Sequence, residues 1–577
     1  MRTTSSSCTA AVLLLLAALP GRASAAPALA ETFPPGARAY VELRDPAGAL
    51  DGLLASPAAR RLRKHPAAEA FWTSPRGLQL ALAEAVLQGA TGKSFRSLLR
   101  TIGSDEVAVG LYPADGAAEA APRALVALRA DSGSLERVLT SAERFFQRER
   151  IQVAEARGAR SALWTYGEKM PAFVFHEGSL WVFASDRALA TAAHTGPTPS
   201  MAADPRLAAA RDALPRRGLV LGVLDAAVLP SSLRLAEKPD HPLAALLLGA
   251  TSEQAARAPW LGVAGELSQA DPQIGIALEL LVPTPQPASR AAARAYGGTL
   301  ASLPFAVEGS LATLRLHRNL ASFFAQRDAL VAKPGIAPLV ELAERFGPLS
   351  GNLDLVEEFL PGLHADASLV LLQPARRGPA GPGEIRLPDV ALLLHMREPR
   401  RLGPEATLGF QRLIEAENTG RREPLWVLER AMHAGTPLQI ASTPLPAAAD
   451  ADGAPGPAPS FPAEPTQAVA GEYIVLASTA HAARQLLDAR GGVTLAPERS
   501  NAQLVIDGPG AAALLRANRA ALVAQHTAGE AADPDDARSI DFWLELAAFV
   551  ERATLVQREA KHALAVELEL VIGPGRP

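Results

Sequence analysis

The stretch Asp105-Glu-Val-Ala-Val-Gly-Leu-Tyr-Pro113 returns later in the chain as Asp366-Ala-Ser-Leu-Val-Leu-Leu-Gln-Pro374, with an Asp before and a Pro after a short apolar run. Both read as β-strands, because a run of this length bounded by turn-forming residues is too short for a buried helix. The spacing is 366 − 105 = 261 residues. Polar positions change between the two copies (Glu106, Tyr112 and Asp115 become Ala367, Gln373 and Arg376) while the apolar ones persist. What repeats is packing, and the pair predicts a central strand in each of two modules.

Three further echoes follow in the same order. Leu180-Trp-Val-Phe-Ala-Ser185 matches Tyr473-Ile-Val-Leu-Ala-Ser478, the strand ending at Asp225 matches the one ending at Asp507, and Leu278 to Val282 matches Leu568 to Ile572. Before the key strand, Ala39 to Leu43 alternates as a strand, and helical patterning runs from Ala47 to Thr91 with breaks near Pro66 and Pro75, giving two or three helices. Ser134 to Arg150 is an amphipathic helix, since Leu135, Val138, Leu139, Ala142 and Phe145 recur at three- and four-residue spacing. The segment 443–467 is rich in Pro, Ala and Gly with little that packs, and reads as a flexible insertion. The module boundary is expected within Pro283 to Pro287, and Ala288 to Tyr296 reads as a connecting helix.

At 577 residues and 48% hydrophobic, the chain is globular and too long for one core. Residues 1–25 have the form of a signal peptide: Arg2, the apolar run Ala10 to Leu19, and the small-residue site Ala23-Ser24-Ala25. The only cysteine, Cys8, precedes that apolar run. The processed chain is therefore expected to carry no lipid anchor, disulfide, thiolate nucleophile or cysteine-bound metal. Without Arg2 and Arg22, 54 basic residues face 60 acidic ones. That balance argues against nucleic acid or an anionic membrane as the main partner.

Candidate chemistry resolves into architecture. Gly89-Ala-Thr-Gly92-Lys93-Ser94 resembles a phosphate loop, but Leu87 stands where its first glycine belongs and the segment follows a helix, so it reads as a helix stop. Ser185, Ser478, Asp225 and Asp507 each follow a strand and precede a helix, which is the N-cap position. The eleven histidines show no HxH or HExxH spacing, and no GxSxG elbow is present. Arg60 to His65 is the densest positive run, either an anion or lipid-headgroup contact or a solvated helix face, and the latter is favoured. Asp533 to Asp536 lacks the ligands of a calcium loop, and the six tryptophans read as core. No catalytic, cofactor-binding or metal-ligating residue is assigned.

The opening Pro35 to Leu43, and Asp354-Leu-Val-Glu-Glu-Phe-Leu-Pro361 running into Asp366 to Leu372, carry a resemblance. The chain resembles a group of secreted bacterial proteins of unassigned function, with duplicated α+β modules. Where that group has Gly-Gly-Glu, this chain has Gly103-Ser104-Asp105 and His364-Ala365-Asp366. The resemblance implies fold and export and no site residue.

The expectation is an α+β protein: signal peptide 1–25, module 1 at 26–285 and module 2 at 286–577, each a mainly antiparallel sheet with helices on one face and the other face free. The functional expectation is an exported, periplasmic or extracellular, non-enzymatic binding or assembly protein without a cofactor. Its partner would be an envelope protein or component. An apolar-ligand carrier with a cavity between sheet and helices is the alternative, and a motif-less hydrolase the third reading.

Overall fold

The structure is a computed structural model that describes residues 28–573, apart from 65, 74, 103–104, 115–122, 148, 167–171, 216–217, 229–237, 271, 285–288, 306, 375–384, 422–423, 444–463, 498, 527–533 and 561–562. The expected signal segment with Cys8, the expected module boundary at 285/286, His65, Asp533 and most of the expected 443–467 insertion lie outside the described residues. The chain forms two compact units: Met1–Arg234, Ala258–Pro283 and Ala565–Pro577 make unit 1, and Leu235–Arg257 with Thr284–Leu564 makes unit 2.

Unit 1 is built on β1 (Ala39–Arg44), β2 (Glu106–Tyr112), β3 (Arg123–Arg129), β4 (Ile151–Ala154), β5 (Leu163–Thr165), β6 (Phe173–Glu177), β7 (Leu180–Ala184), β8 (Val220–Asp225), β9 (Trp260–Ala270) and β10 (Gln273–Pro283). Antiparallel pairing links them in the order β10-β9-β8-β1-β2-β3-β7-β6-β5-β4. The quoted stretch is thus flanked on both sides, by β1 and β3.

Four helices, Pro46–Ala55, Pro57–Leu62, Pro66–Thr73 and Pro75–Thr91, fill the segment in which two or three were expected. Each opens on a proline, whose fixed φ suits the first helical turn and whose missing N–H is lost there without cost, so every proline starts a new helix.

Unit 2 contains β11 (Leu303–Phe305), β12 (Ala312–His317), β13 (Leu363–Leu372), β14 (Asp389–Met396), β15 (Val427–His433), β16 (Thr436–Ser442), β17 (Thr466–Ala470), β18 (Tyr473–Ala477), β19 (Arg490–Thr494), β20 (Ser500–Asp507) and β21 (Val550–Ala560). Its antiparallel order is β21-β20-β12-β13-β14-β18-β17-β16-β15, with β11 and β19 paired separately. The insertion read as 443–467 ends earlier than expected: Thr466 and Gln467 begin β17 and are buried. Polar residues there conceal a strand, because hydropathy alone does not report a buried amide.

Helices cover both faces of each sheet, which corrects the expectation of one covered face. In unit 1, Leu135 and Val138 of helix Ser132–Phe146 pack on Leu128, Val174 and Trp181. On the opposite face, helix Arg187–Thr195 buries Leu189, Ala190 and Ala193 and sets His194 edge-on against Phe175. In unit 2, Leu402 and Ala406 of helix Pro399–Asn418 join Met396 and Ile474, while Leu486 and Leu487 of helix Ala480–Asp488 pack with Val475 and Leu393. The one-face reading came from the alternating β1. Strands β6, β7 and β8 instead carry consecutive buried residues, the mark of a sheet covered twice.

Candidate functional site

With both faces covered, a site has to lie where a helix lifts off its sheet. In unit 1 this happens between helix Ser132–Phe146 and the outer strands β4 to β7, leaving an open cleft of about 850 Å³. One wall is electrostatic. Arg150, just before β4, reaches back to both Glu136 and Glu143 of the helix, 2.5 Å from Glu143, and Tyr166 donates to Glu143 at 3.1 Å. The bond to Glu136, opposed by partial burial, holds the Arg150 guanidinium even more firmly protonated than usual, and burial pushes the Tyr166 phenol up. The guanidinium also lies 5.9 Å from the Trp164 ring centroid.

The other wall is aromatic. His176 stacks on Trp181 at 4.6 Å, and Trp181 lies 6.5 Å from Phe183. Trp181 is only 1% exposed, yet its indole Nε1 has no hydrogen-bond partner among the described residues, and neither has Nδ1 of His176. A buried indole N–H is usually satisfied, and leaving it unpaired costs about 1–3 kcal/mol, so this pair is the feature that marks the cleft. The backbone beneath is fixed: Ser161 Oγ accepts from the His176 N–H at 2.9 Å, and Arg160 bonds Glu177 and the carbonyls of Ala193 and His194.

In unit 2 a cleft of about 420 Å³ lies against β15 to β17, touched by Thr407 of helix Pro399–Asn418. Gln439 and Gln467 face each other across β16 and β17, and Oε1 of the first and Nε2 of the second are buried without partners among the described residues.

The sequence-predicted positions sort differently. Gly92, at φ +69°, does end helix Pro75–Thr91, as a helix stop should. Asp507 caps its helix through the Gly510 N–H at 2.8 Å, and Asp225 accepts from the Ala227 N–H at 3.0 Å. Ser185 and Ser478 are not caps. Each hydroxyl accepts the N–H of the second residue of a neighbouring strand, Ala124 of β3 or Val390 of β14, at 2.8 Å, while the caps fall one residue later on Asp186 and Thr479. The strands end with their apolar runs, but backbone bonding runs one residue past them, from the Ser185 N–H to the Ala124 carbonyl at 3.0 Å and from the Ser478 N–H to the Val390 carbonyl at 2.8 Å. Trp72 and Trp543, expected in the core, are 55% and 62% exposed, because helical periodicity does not say which stripe faces inward. Among the described residues no group of three or more His, Asp or Glu is placed to hold a metal ion.

Three rings stack in unit 2: His364 on His395 at 4.1 Å, and His395 on Tyr473 at 4.5 Å. Burial, then the charges of His395 and Arg397, lower the His364 pKa. A histidine with a lowered folded pKa binds its proton more readily when unfolded. Its stabilising contribution is therefore present above the unfolded pKa of about 6.5 and is lost as pH falls below it, levelling off under the folded value. Urea midpoints of unit 2 at pH 7.5 and pH 5 are expected to differ more in the parent than in His364→Gln. Equal pH dependence in both proteins would remove His364 from this account.

The cleft residues were missed from sequence because Glu136, Arg150, Trp164, His176 and Trp181 form no motif and meet only through strand pairing. No protein-family model, no curated protein and no solved structure matches this chain.

Proposed function

We propose that the chain is an exported, non-enzymatic binding protein of the bacterial envelope that holds its ligand in the unit 1 cleft. The unpaired Trp181 N–H, at the end of an aromatic wall and beside a set of charges already paired among themselves, carries this reading. Glu136, Glu143 and Glu149 outnumber Arg144 and Arg150 around the cleft, so anions are disfavoured. Charged groups along one wall likewise disfavour an acyl chain, which weighs against the carrier reading. The chemistry suits a neutral ligand that combines hydroxyl or amide groups with a flat apolar face, as an N-acetylated sugar does. Export rests on residues 1–25, and membership of the secreted family rests on the motifs around Pro35 and Asp354.

We also infer that the two units are copies of one module. The order β8-β1-β2-β3-β7-β6-β5-β4 has the counterpart β20-β12-β13-β14-β18-β17-β16-β15. Pairing also supplies a register. Arg44 opposes Glu106 and His317 opposes Asp366, so Glu106 corresponds to Asp366 at 366 − 106 = 260 residues, one fewer than the sequence match of Asp105 with Asp366. This register aligns the buried positions Ala108, Gly110 and Tyr112 with Ser368, Val370 and Leu372. A one-residue slip would have exchanged the two faces. On this equivalence Trp164 and Val174 of the unit 1 cleft become Gln439 and Gln467. The copies thus differ in their clefts.

Tryptophan fluorescence tests the assignment. Saturable quenching is expected with a neutral N-acetylated oligosaccharide, weakened about tenfold or more in Trp164→Ala, the scale of one lost aromatic contact. Saturation by laurate, with no response to the oligosaccharide, would reverse it in favour of the carrier.

A further inference from the structure

Net charge averages over the chain and hides an asymmetry. Residues 46–102, the helical arm of unit 1, hold eight Lys and Arg against Asp51, Glu69 and Glu84, a balance of +5 in a chain whose total is −4. The remaining residues therefore sum to −4 − 5 = −9. Asp51 is already engaged, at 2.6 Å, by both Arg96 and Arg100. Arg60, Arg63 and Lys64 stand exposed at the end of helix Pro57–Leu62.

The same arm carries apolar side chains that stand exposed among the described residues. Every residue from 78 to 86 of helix Pro75–Thr91 is exposed, with Leu78 at 58%, Leu80 at 54% and Leu82 at 65%. Trp72 and Phe95, on the helices before and after, are also more than half exposed. Single exposed leucines are ordinary, but a run of them around one helix, with a tryptophan and a phenylalanine beside it, is an interaction surface.

We propose that this arm docks the protein on an anionic lipid surface, lying in the interface with its leucines and Trp72 in the headgroup and upper acyl region and its basic residues on the phosphates. Charge complementarity selects this occupant. A symmetric contact between two copies through the arm would set two +5 segments against each other. Basic residues flanking exposed Leu and Trp are the composition of an interfacial helix, which binds by burying apolar area and by attraction to anionic headgroups together. The helix is 17 residues long, and among the described residues no helix is long and apolar enough to cross a membrane, so the arm lies on the surface. This proposal is independent of the cleft, since none of the residues it uses lines that space.

Co-sedimentation of the purified protein with phosphatidylcholine vesicles, with and without half phosphatidylglycerol, tests it. Binding to the mixed vesicles is expected at about 0.1 M salt, with a loss of about tenfold or more at 0.5 M salt or on pure phosphatidylcholine. Two variants separate the contributions: Leu78→Glu with Leu82→Glu, and Arg60→Glu with Arg63→Glu and Lys64→Glu. Each is expected to lose binding while melting like the parent, because every replaced side chain is exposed. Equal binding to both vesicle types, binding unchanged in both variants, or no binding at all would overturn the proposal. Sedimentation velocity showing a dimer that the leucine variant dissociates, without vesicle binding, would assign the surface to a second copy instead.

Discussion

Replacing Arg318 by methionine is expected to destabilise unit 2 by about 2–4 kcal/mol, the scale of several lost charge-assisted hydrogen bonds less the relief of burying a charge. Arg318 is 1% exposed, and its guanidinium donates to four main-chain carbonyls: Leu246 at 2.8 Å, Leu247 at 3.0 Å, His317 at 2.8 Å and Asn501 at 3.1 Å. It also lies 5.4 Å from the ring centroid of Tyr296, whose hydroxyl donates to the Ala245 carbonyl. Burial pushes its pKa down to about 10, which still leaves it protonated at neutral pH. The planar fork therefore ties helix Pro242–Arg257 to the ends of β12 and β20. Methionine fills similar volume but leaves the His317 and Asn501 carbonyls without this donor. Lysine keeps the charge and loses the fork, so Arg318→Lys is expected to fall between the parent and the methionine variant. Urea unfolding followed by circular dichroism reads both, and a methionine variant within about 0.5 kcal/mol of the parent, the usual range for surface changes, would show that the fork is dispensable.

The second large effect is expected from Gly409→Ala. In an exposed helix interior this change would add about 1 kcal/mol of stability, because alanine has the higher helix propensity. In helix Pro399–Asn418 the sign reverses. A Cβ on Gly409 would stand 2.1 Å from the Leu349 carbonyl oxygen and 2.8 Å from the Gly351 nitrogen, both main-chain atoms that no rotamer change can move. The turn is itself anchored: Arg412 donates to the Gly351 carbonyl and to Asn352 Oδ1, and the Asn352 N–H donates to Glu405 at 2.7 Å. Separating helix and turn costs more than propensity returns, so a net loss of about 1–3 kcal/mol is expected. Gly133→Ala is the control. Its nearest foreign atom, Asp131 Oδ2, is 3.8 Å away, and a gain of up to about 1 kcal/mol is expected there. If both substitutions moved stability in the same direction, the close approach at Gly409 would not be what decides its sign.

Much of the α+β architecture was legible from local signals. Asp105 to Pro113 and Asp366 to Pro374 announced strands because short apolar runs between turn formers fit nothing else, and both became interior strands. Helix Ser132–Phe146 followed from its spacing of leucine, valine and phenylalanine. Strands β15 and β16 went unread, since Val427–His433 sets its apolar and charged residues in adjacent pairs instead of alternating them, on an exposed edge, and Thr436–Ser442 has polar residues inside. On the proposed equivalence of the two units, the one-residue difference between Asp105 and Glu106 as the counterpart of Asp366 has the same origin. Identity favours one match and hydrogen-bond pairing the other, and only pairing determines which face a side chain takes.

The sequence by itself determined most of the elements, though not β15 and β16, together with the capping and helix-stop roles of Asp507 and Gly92 and the basic character of residues 46–102. These depend on neighbours within a few positions, where backbone geometry is fixed by local chemistry. The tertiary structure alone decided that helices cover both faces of each sheet, that Arg150 and Trp181 share a cleft although 31 residues apart, and that Leu78 to Val86 remain uncovered. Burial and pairing are properties of strands and helices brought together from distant parts of the chain, and no local pattern encodes which partner arrives.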